Sequence, residues 1–132
     1  MKSLLLFTLL IVLFGCAKPK EDNQKISGID QLTGEWHWVS TCGGFVENCL
    51  YSSDTNYAVV DFGSNDKFVE LHNGTVYREA DYSVVKTSET TARLLFSGQN
   101  YESTLSIVHN RLEIGSGELV NTYTRINKHL IL

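Results

Sequence analysis

The stretch QLTGEWHWV, residues 31–39, sets the fold that the rest of the chain has to complete. It contains a glycine, a tryptophan two positions later and a second tryptophan after two more. Successive side chains of a β-strand point to opposite faces, so Trp36 and Trp38 share one face while Glu35 and His37 lie on the other. The pattern predicts a first strand whose tryptophan face is buried in a core.

The chain after this strand alternates short apolar segments with turn residues. Asn73 and Gly74 give the clearest hairpin signal, because both residue types accept the positive φ of a tight turn. The connections are too short for helices between parallel strands, which indicates an antiparallel meander. We predict an all-β fold of eight strands, over residues 34–41, 55–62, 67–72, 75–85, 91–97, 101–108, 111–114 and 118–126.

Eight antiparallel strands in about a hundred residues either close into a barrel or pack as a sandwich. Closure removes both unpaired edges, and the interior of an eight-stranded barrel is either filled by side chains or holds one small ligand. We expect the closed barrel.

The N-terminal segment, residues 1–15, has the features of an export signal. Lys2 precedes an apolar run over residues 4–14, which is too short to span a bilayer comfortably. The run ends in LFGC, residues 13–16, which resembles the lipobox of bacterial lipoproteins. An ordinary signal peptide, cleaved to release a soluble protein, is the alternative.

The lipobox resemblance implies that Cys16 becomes the first mature residue and carries acyl chains, with a palmitate-type chain on its amino group. Several acyl chains hold a protein on a membrane far more firmly than one, since each buried CH₂ contributes about 0.8 kcal/mol. Ala17 resembles the residue type that permits sorting to the outer membrane. We therefore expect a lipid-anchored envelope protein, facing either the periplasm or the cell surface.

Residues 16–30 form the expected tether between the anchor and the domain. They are mostly polar, include the one proline of the chain and show no periodicity, which is typical of a linker. A single helical turn is expected at residues 29–32. Without residues 1–15 the chain has ten Lys and Arg (11 minus Lys2) against 15 Asp and Glu, a net charge of −5. This balance argues against nucleic acid as a partner.

Gly34 and Trp36 in the first strand, together with Arg125 in the last, resemble the lipocalin and wider calycin signature. The chain is similar to the short lipocalin-like lipoproteins of Bacteroidetes-type bacteria over roughly residues 31–127. The resemblance implies a barrel domain over residues 31–132, in which Trp36 closes the base and Arg125 lies across its ring. Gly34 would leave room for the capping turn. The alternative for Arg125 is a solvated charge at a strand end.

Cys42 and Cys49 follow the first strand. With Cys16 lipidated they remain as an even pair in an exported protein, which predicts a disulfide. The bridged loop is either a lid that carries Phe45 over the barrel mouth or a purely structural staple. Two cysteines do not make a zinc site, so no metal is expected.

Neither the histidines nor the serines form a catalytic pattern. The four histidines show no metal-ligand spacing, and His37 and His72 are expected on exposed strand faces. The chain has no Gly-x-Ser-x-Gly nucleophile elbow, and Cys42 has no marked base beside it. We therefore expect neither an enzyme nor a cofactor.

Aromatic side chains are spread over nearly every predicted strand, and they divide between filling the barrel and lining its mouth. The candidates for the mouth are Phe45, Tyr57, Tyr77, Tyr101 and Tyr123. Two functions stay open: binding of a small hydrophobic or amphipathic ligand, or a solid barrel that binds an envelope protein or a glycan. A cavity of suitable size would favour the first, and an exposed apolar patch the second.

Overall fold

The computed structural model of the protein describes residues 28–44 and 48–125. The expected signal peptide, Cys16, most of the linker and Phe45 lie outside the described residues. A short 3₁₀ helix over Ile29–Gln31 precedes nine strands: β1 Gly34–Gly43, β2 Leu50–Tyr51, β3 Ala58–Phe62, β4 Lys67–His72, β5 Thr75–Lys86, β6 Thr91–Phe96, β7 Ser103–Val108, β8 Arg111–Ser116 and β9 Leu119–Thr124. The eight predicted strands are present, and β2 is an additional strand that was not predicted.

The strands form a closed antiparallel barrel. β1 and β3 to β9 follow one another as a meander, and β9 pairs back onto β1 from His37↔Thr124 to Gly43↔Leu119. The two-residue β2 adds to β1 through Thr41↔Leu50, beyond the part of β1 that pairs with β3. The prediction of an eight-stranded antiparallel barrel is confirmed.

The predicted hairpin between β4 and β5 turns at Asn73 and Gly74, with φ of 50° and 79°. His109 and Asn110 make a similar turn between β7 and β8, with φ of 51° and 63°. Positive φ is unfavourable for most residue types but is tolerated by glycine, asparagine and histidine, which explains this choice of turn residues.

The end of the barrel at which β1 begins is closed by the 3₁₀ helix. Ile29 and Leu32 are buried, and the backbone N–H of Gly28 donates to the carbonyl of Ile107 at 3.0 Å. Gly28 and Ile29, which the sequence analysis placed in the linker, are therefore bound to the barrel. The buried apolar core consists of Ile29, Leu32, Trp36, Val60, Phe62, Phe68, Ala92, Leu94, Phe96, Leu105, Ile107, Leu112, Ile114 and Tyr123.

Two β-bulges change which side chains face the interior. In β1 the pairing with β9 passes from Trp38↔Tyr123 to Ser40↔Thr122, so Val39 is an extra residue. An extra residue reverses the alternation of the strand beyond it. The simple alternation predicted for residues 34–41 therefore ends at Trp38. The second bulge lies at Tyr77 in β5.

Candidate functional site

Arg125 and Trp36 meet at the closed end of the barrel. The guanidinium carbon of Arg125 lies 4.4 Å from the ring centroid of Trp36, whose side chain is fully buried. Arg125 Nη2 donates to the carbonyls of Gln31 at 2.8 Å and Thr33 at 2.6 Å, while Trp36 Nε1 donates to the Leu32 carbonyl at 2.8 Å. Burial lowers the pKa of Arg125. Arg125 is therefore not a solvated charge at a strand end. It contacts the Trp36 ring and hydrogen-bonds to the turn over residues 31–33 that caps the barrel.

Gly34 begins β1 with a φ of 117°, in a region that side chains rarely allow. A Cβ at this position would lie 3.4 Å from Nη2 of Arg125, an ordinary contact distance. The backbone conformation therefore requires glycine here, rather than the crowding by the capping turn that was expected.

The opposite end of β1 carries the disulfide. Cys42 and Cys49 are bonded, with an S–S distance of 2.01 Å, which confirms the predicted bridge. Gly43 has a φ of 110°, and a Cβ there would lie 2.0 Å from the backbone oxygen of Glu118. The bridge and this close approach to the β8–β9 turn hold the start of the loop against the barrel rim.

A cavity of about 190 Å³ opens at this end of the barrel, which we call the mouth cavity. Its walls come from β1, from the start of β3 and the residues before it, from the end of β4 and from β9. Pockets for drug-sized ligands measure roughly 300–1,000 Å³, so this cavity suits a smaller molecule. It is lined by Trp38, Thr41, Asn56, Tyr57, Ala58, Glu70, His72, Asn121 and Tyr123.

One wall of the mouth cavity is a chain of hydrogen bonds. Trp38 Nε1 donates to Thr41 Oγ1 at 3.0 Å, and Thr41 Oγ1 donates to Asn121 Oδ1 at 2.5 Å. Thr41 faces inward because the bulge at Val39 reverses the strand. The chain fixes the orientation of the indole, so the wall is preorganised.

The opposite wall holds a carboxylate. Glu70 Oε1 lies 2.7 Å from His72 Nε2, and the Glu70 side chain is only 19% exposed. Burial raises the pKa of the Tyr123 hydroxyl, and the charge of Glu70 raises it further, so the phenol stays neutral. Tyr123 lines the cavity together with Glu70.

Arg78 also faces the interior, on β5 opposite Glu70. Its guanidinium carbon lies 4.1 Å from the ring centroid of Phe96 and 5.6 Å from that of Phe68. It does not line the mouth cavity, and within the described part of the chain no carboxylate lies close enough to Arg78 to form an ion pair. Glu70 is paired with His72 instead.

The aromatic residues predicted for the mouth divide between the cavity and other positions. Tyr57 and Tyr123 line the cavity. Tyr77 lies outside it, 67% exposed, with its ring stacked on His72 at a centroid distance of 4.2 Å. Tyr101 lies in the β6–β7 connection and is 54% exposed. Phe45 lies outside the described residues.

The polar half of the cavity was not predicted from the sequence. His72 is exposed, as expected, but it also lines the cavity, since its position is two residues from Glu70 and four from the buried Phe68. That even spacing was the available signal for Glu70 and His72. Asn121 could likewise have been placed from Tyr123, two residues on, whereas Thr41 could not, since nothing in the sequence marks the bulge.

Apolar side chains are exposed outside the cavity, near the disulfide. Leu50 and Tyr51 in β2 are each 67% exposed, and Leu119 and Val120 in β9 pair with the end of β1. Val39, the bulge residue, is also exposed. We call these five residues the rim patch.

No protein-family model matches the sequence, and neither a curated protein nor a solved structure shows significant similarity to it. Within residues 28–44 and 48–125, no three His, Cys, Asp or Glu side chains are grouped as ligands for a metal ion. The helical content of the same residues includes nothing long and apolar enough to cross a membrane.

Proposed function

We propose that the protein is a lipid-anchored envelope lipoprotein, lipocalin-like in type, which binds a small amphipathic molecule in the mouth cavity. The observation that carries the proposal is an open, preorganised cavity above the buried apolar core of the barrel. Trp38, Tyr57 and Tyr123 offer apolar faces, while Glu70 and Asn121 offer polar atoms. A concave site of aromatic walls and a few fixed polar groups is typical of small-molecule binding.

The test is whether a small molecule accompanies the protein from its own cells. The full chain, extracted from host membranes in a maltoside detergent, is measured by native mass spectrometry and again after denaturation. A discrete added mass that disappears on denaturation is expected, beyond the mass of any acyl chains. Native protein of the same mass as the denatured chain, in repeated preparations, would contradict the proposal.

The anchor is tested separately. Cells grown with a labelled fatty acid are expected to label the wild-type protein and not a Cys16→Ser variant, because only the thiol can accept the diacylglyceryl group. The variant should also leave the membrane fraction. Label that persists on Cys16→Ser would remove the lipoprotein assignment, while leaving the cavity proposal intact.

The rim patch favours a second function, an interaction module of the cell envelope. Exposed apolar side chains on neighbouring strands are a feature of protein-binding surfaces. In that case Leu50→Ser combined with Leu119→Ser should abolish crosslinking of the protein to an envelope partner in cells, and the unaltered cavity should be irrelevant to it. Unchanged crosslinking in the double variant would count against this function.

A further inference from the structure

We infer that the molecule taken up by the mouth cavity is a small organic cation, an ammonium compound with a few carbon substituents. The inference rests on the proposed function, because it names the chemical class of the ligand for the same cavity.

The wall of the mouth cavity contains a carboxylate and no lysine or arginine. Of the nine lining residues, Glu70 alone has a carboxylate, and none is a lysine or an arginine. His72 Nε2 lies 2.7 Å from Glu70 Oε1 and is the donor in this hydrogen bond, because a carboxylate can only accept. A carboxylate only 19% exposed is costly without a compensating cation, and a ligand cation would supply it.

Three aromatic side chains line the mouth cavity together with the Glu70 carboxylate. Trp38, Tyr57 and Tyr123 line the same cavity, and the negative faces of such rings attract cations. An ammonium group is therefore stabilised from several sides, while an uncharged molecule of the same shape gains only the apolar contact. Aromatic walls with a nearby carboxylate are a general solution for binding alkylated ammonium groups.

Arg78, opposite Glu70 on β5, carries a positive charge that would oppose the binding of a cation. Its guanidinium lies over Phe96, on the β5–β6 side of the interior, rather than in the cavity wall. It therefore reduces the attraction for a cation without occupying the site. Removing its charge should strengthen the binding of a cation, and this gives the inference a second, independent prediction.

The experiment compares choline with 3,3-dimethylbutan-1-ol, which has the same shape without the charge. Each is titrated into the full-length protein in maltoside detergent, and the fluorescence of Trp38 in the cavity wall reports binding. We expect choline to bind at least about tenfold more tightly, which corresponds to about 1.4 kcal/mol. Glu70→Gln should reduce the preference to less than about twofold, and Arg78→Met should increase the affinity for choline.

Glu79→Gln is the matched control, since Glu79 is exposed on the outer face of β5 and should leave the preference unchanged. The wild-type comparison needs no variant and stands even if Glu70→Gln fails to fold. Equal binding of choline and the alcohol would overturn the inference and leave the proposed function standing. Absence of choline binding would also overturn it, and native mass spectrometry would then decide the proposed function alone. Tighter binding of butyrate that is lost in Arg78→Gln would overturn it in favour of an anion.

Discussion

At the scale of single residues, Arg125 shows how one side chain can close a barrel. Its guanidinium lies on the Trp36 ring and donates to backbone carbonyls of the capping turn. The Gln31 carbonyl ends the 3₁₀ helix and the Thr33 carbonyl follows it, and carbonyls at the end of a helix have no donor within the helix. Through these contacts the Arg125 side chain, which follows the last strand, holds the first strand and the capping turn together.

Removal of the Trp36 or the Arg125 side chain should lower the free energy of unfolding, and the two losses should not add. Trp36→Ala removes a fully buried indole and is expected to cost about 3–5 kcal/mol. Arg125→Ala should cost about 1–2 kcal/mol through lost stacking and hydrogen bonds. Because the residues touch, the double variant should lose less than the sum in denaturant unfolding. Trp38→Ala is the control, and strict additivity of Trp36→Ala with Arg125→Ala would show that the contact contributes nothing.

Gly34→Ala separates conformation from crowding. We expect a loss of about 1–2 kcal/mol, since φ is 117° at this position. If the backbone is the cause, the same loss should appear in an Arg125→Ala background, where the nearest side chain has gone. Recovery of stability in that background, measured by thermal unfolding, would point to crowding instead.

At the scale of elements, β1 does most to define the site. Its first half pairs with β3 and buries Trp36, and its second half, beyond the bulge at Val39, turns Thr41 toward the cavity. Cys42, the residue before the end of the strand, forms the disulfide with Cys49. Strand β1 thus runs from the closed end of the barrel, along the cavity wall, to the Cys42–Cys49 disulfide.

Loss of the disulfide should lower the stability of the barrel without unfolding it. A bridge that closes so short a loop contributes roughly 2–3 kcal/mol by restricting the unfolded chain. Cys42→Ser combined with Cys49→Ser should lower the free energy of unfolding by that amount, and reduced wild-type protein should behave like the variant. Equal stability of oxidised and reduced wild-type protein would show that the loop is not constrained in the unfolded state.

At the scale of the whole molecule, much of the fold was predictable and half of the site was not. Periodicity and turn residues predicted the meander, because apolar alternation and Asn73-Gly74 have a local cause. The inward position of Thr41 depends on a bulge, and a bulge depends on how β1 pairs with a strand about 80 residues away. Local sequence patterns do not encode that register, so the inward position of Thr41 could not be predicted.

If the mouth cavity holds a ligand, filling the cavity with a larger side chain should expel it. Ala58→Phe places a ring in the space that Ala58 lines, while Val59→Phe makes the same change on the outer face of β3. Both full-length proteins are isolated from host cells and compared with the wild type by native mass spectrometry. We expect the bound molecule to be present in the wild type and in Val59→Phe and absent from Ala58→Phe. Retention of the same molecule by a folded Ala58→Phe variant would contradict it.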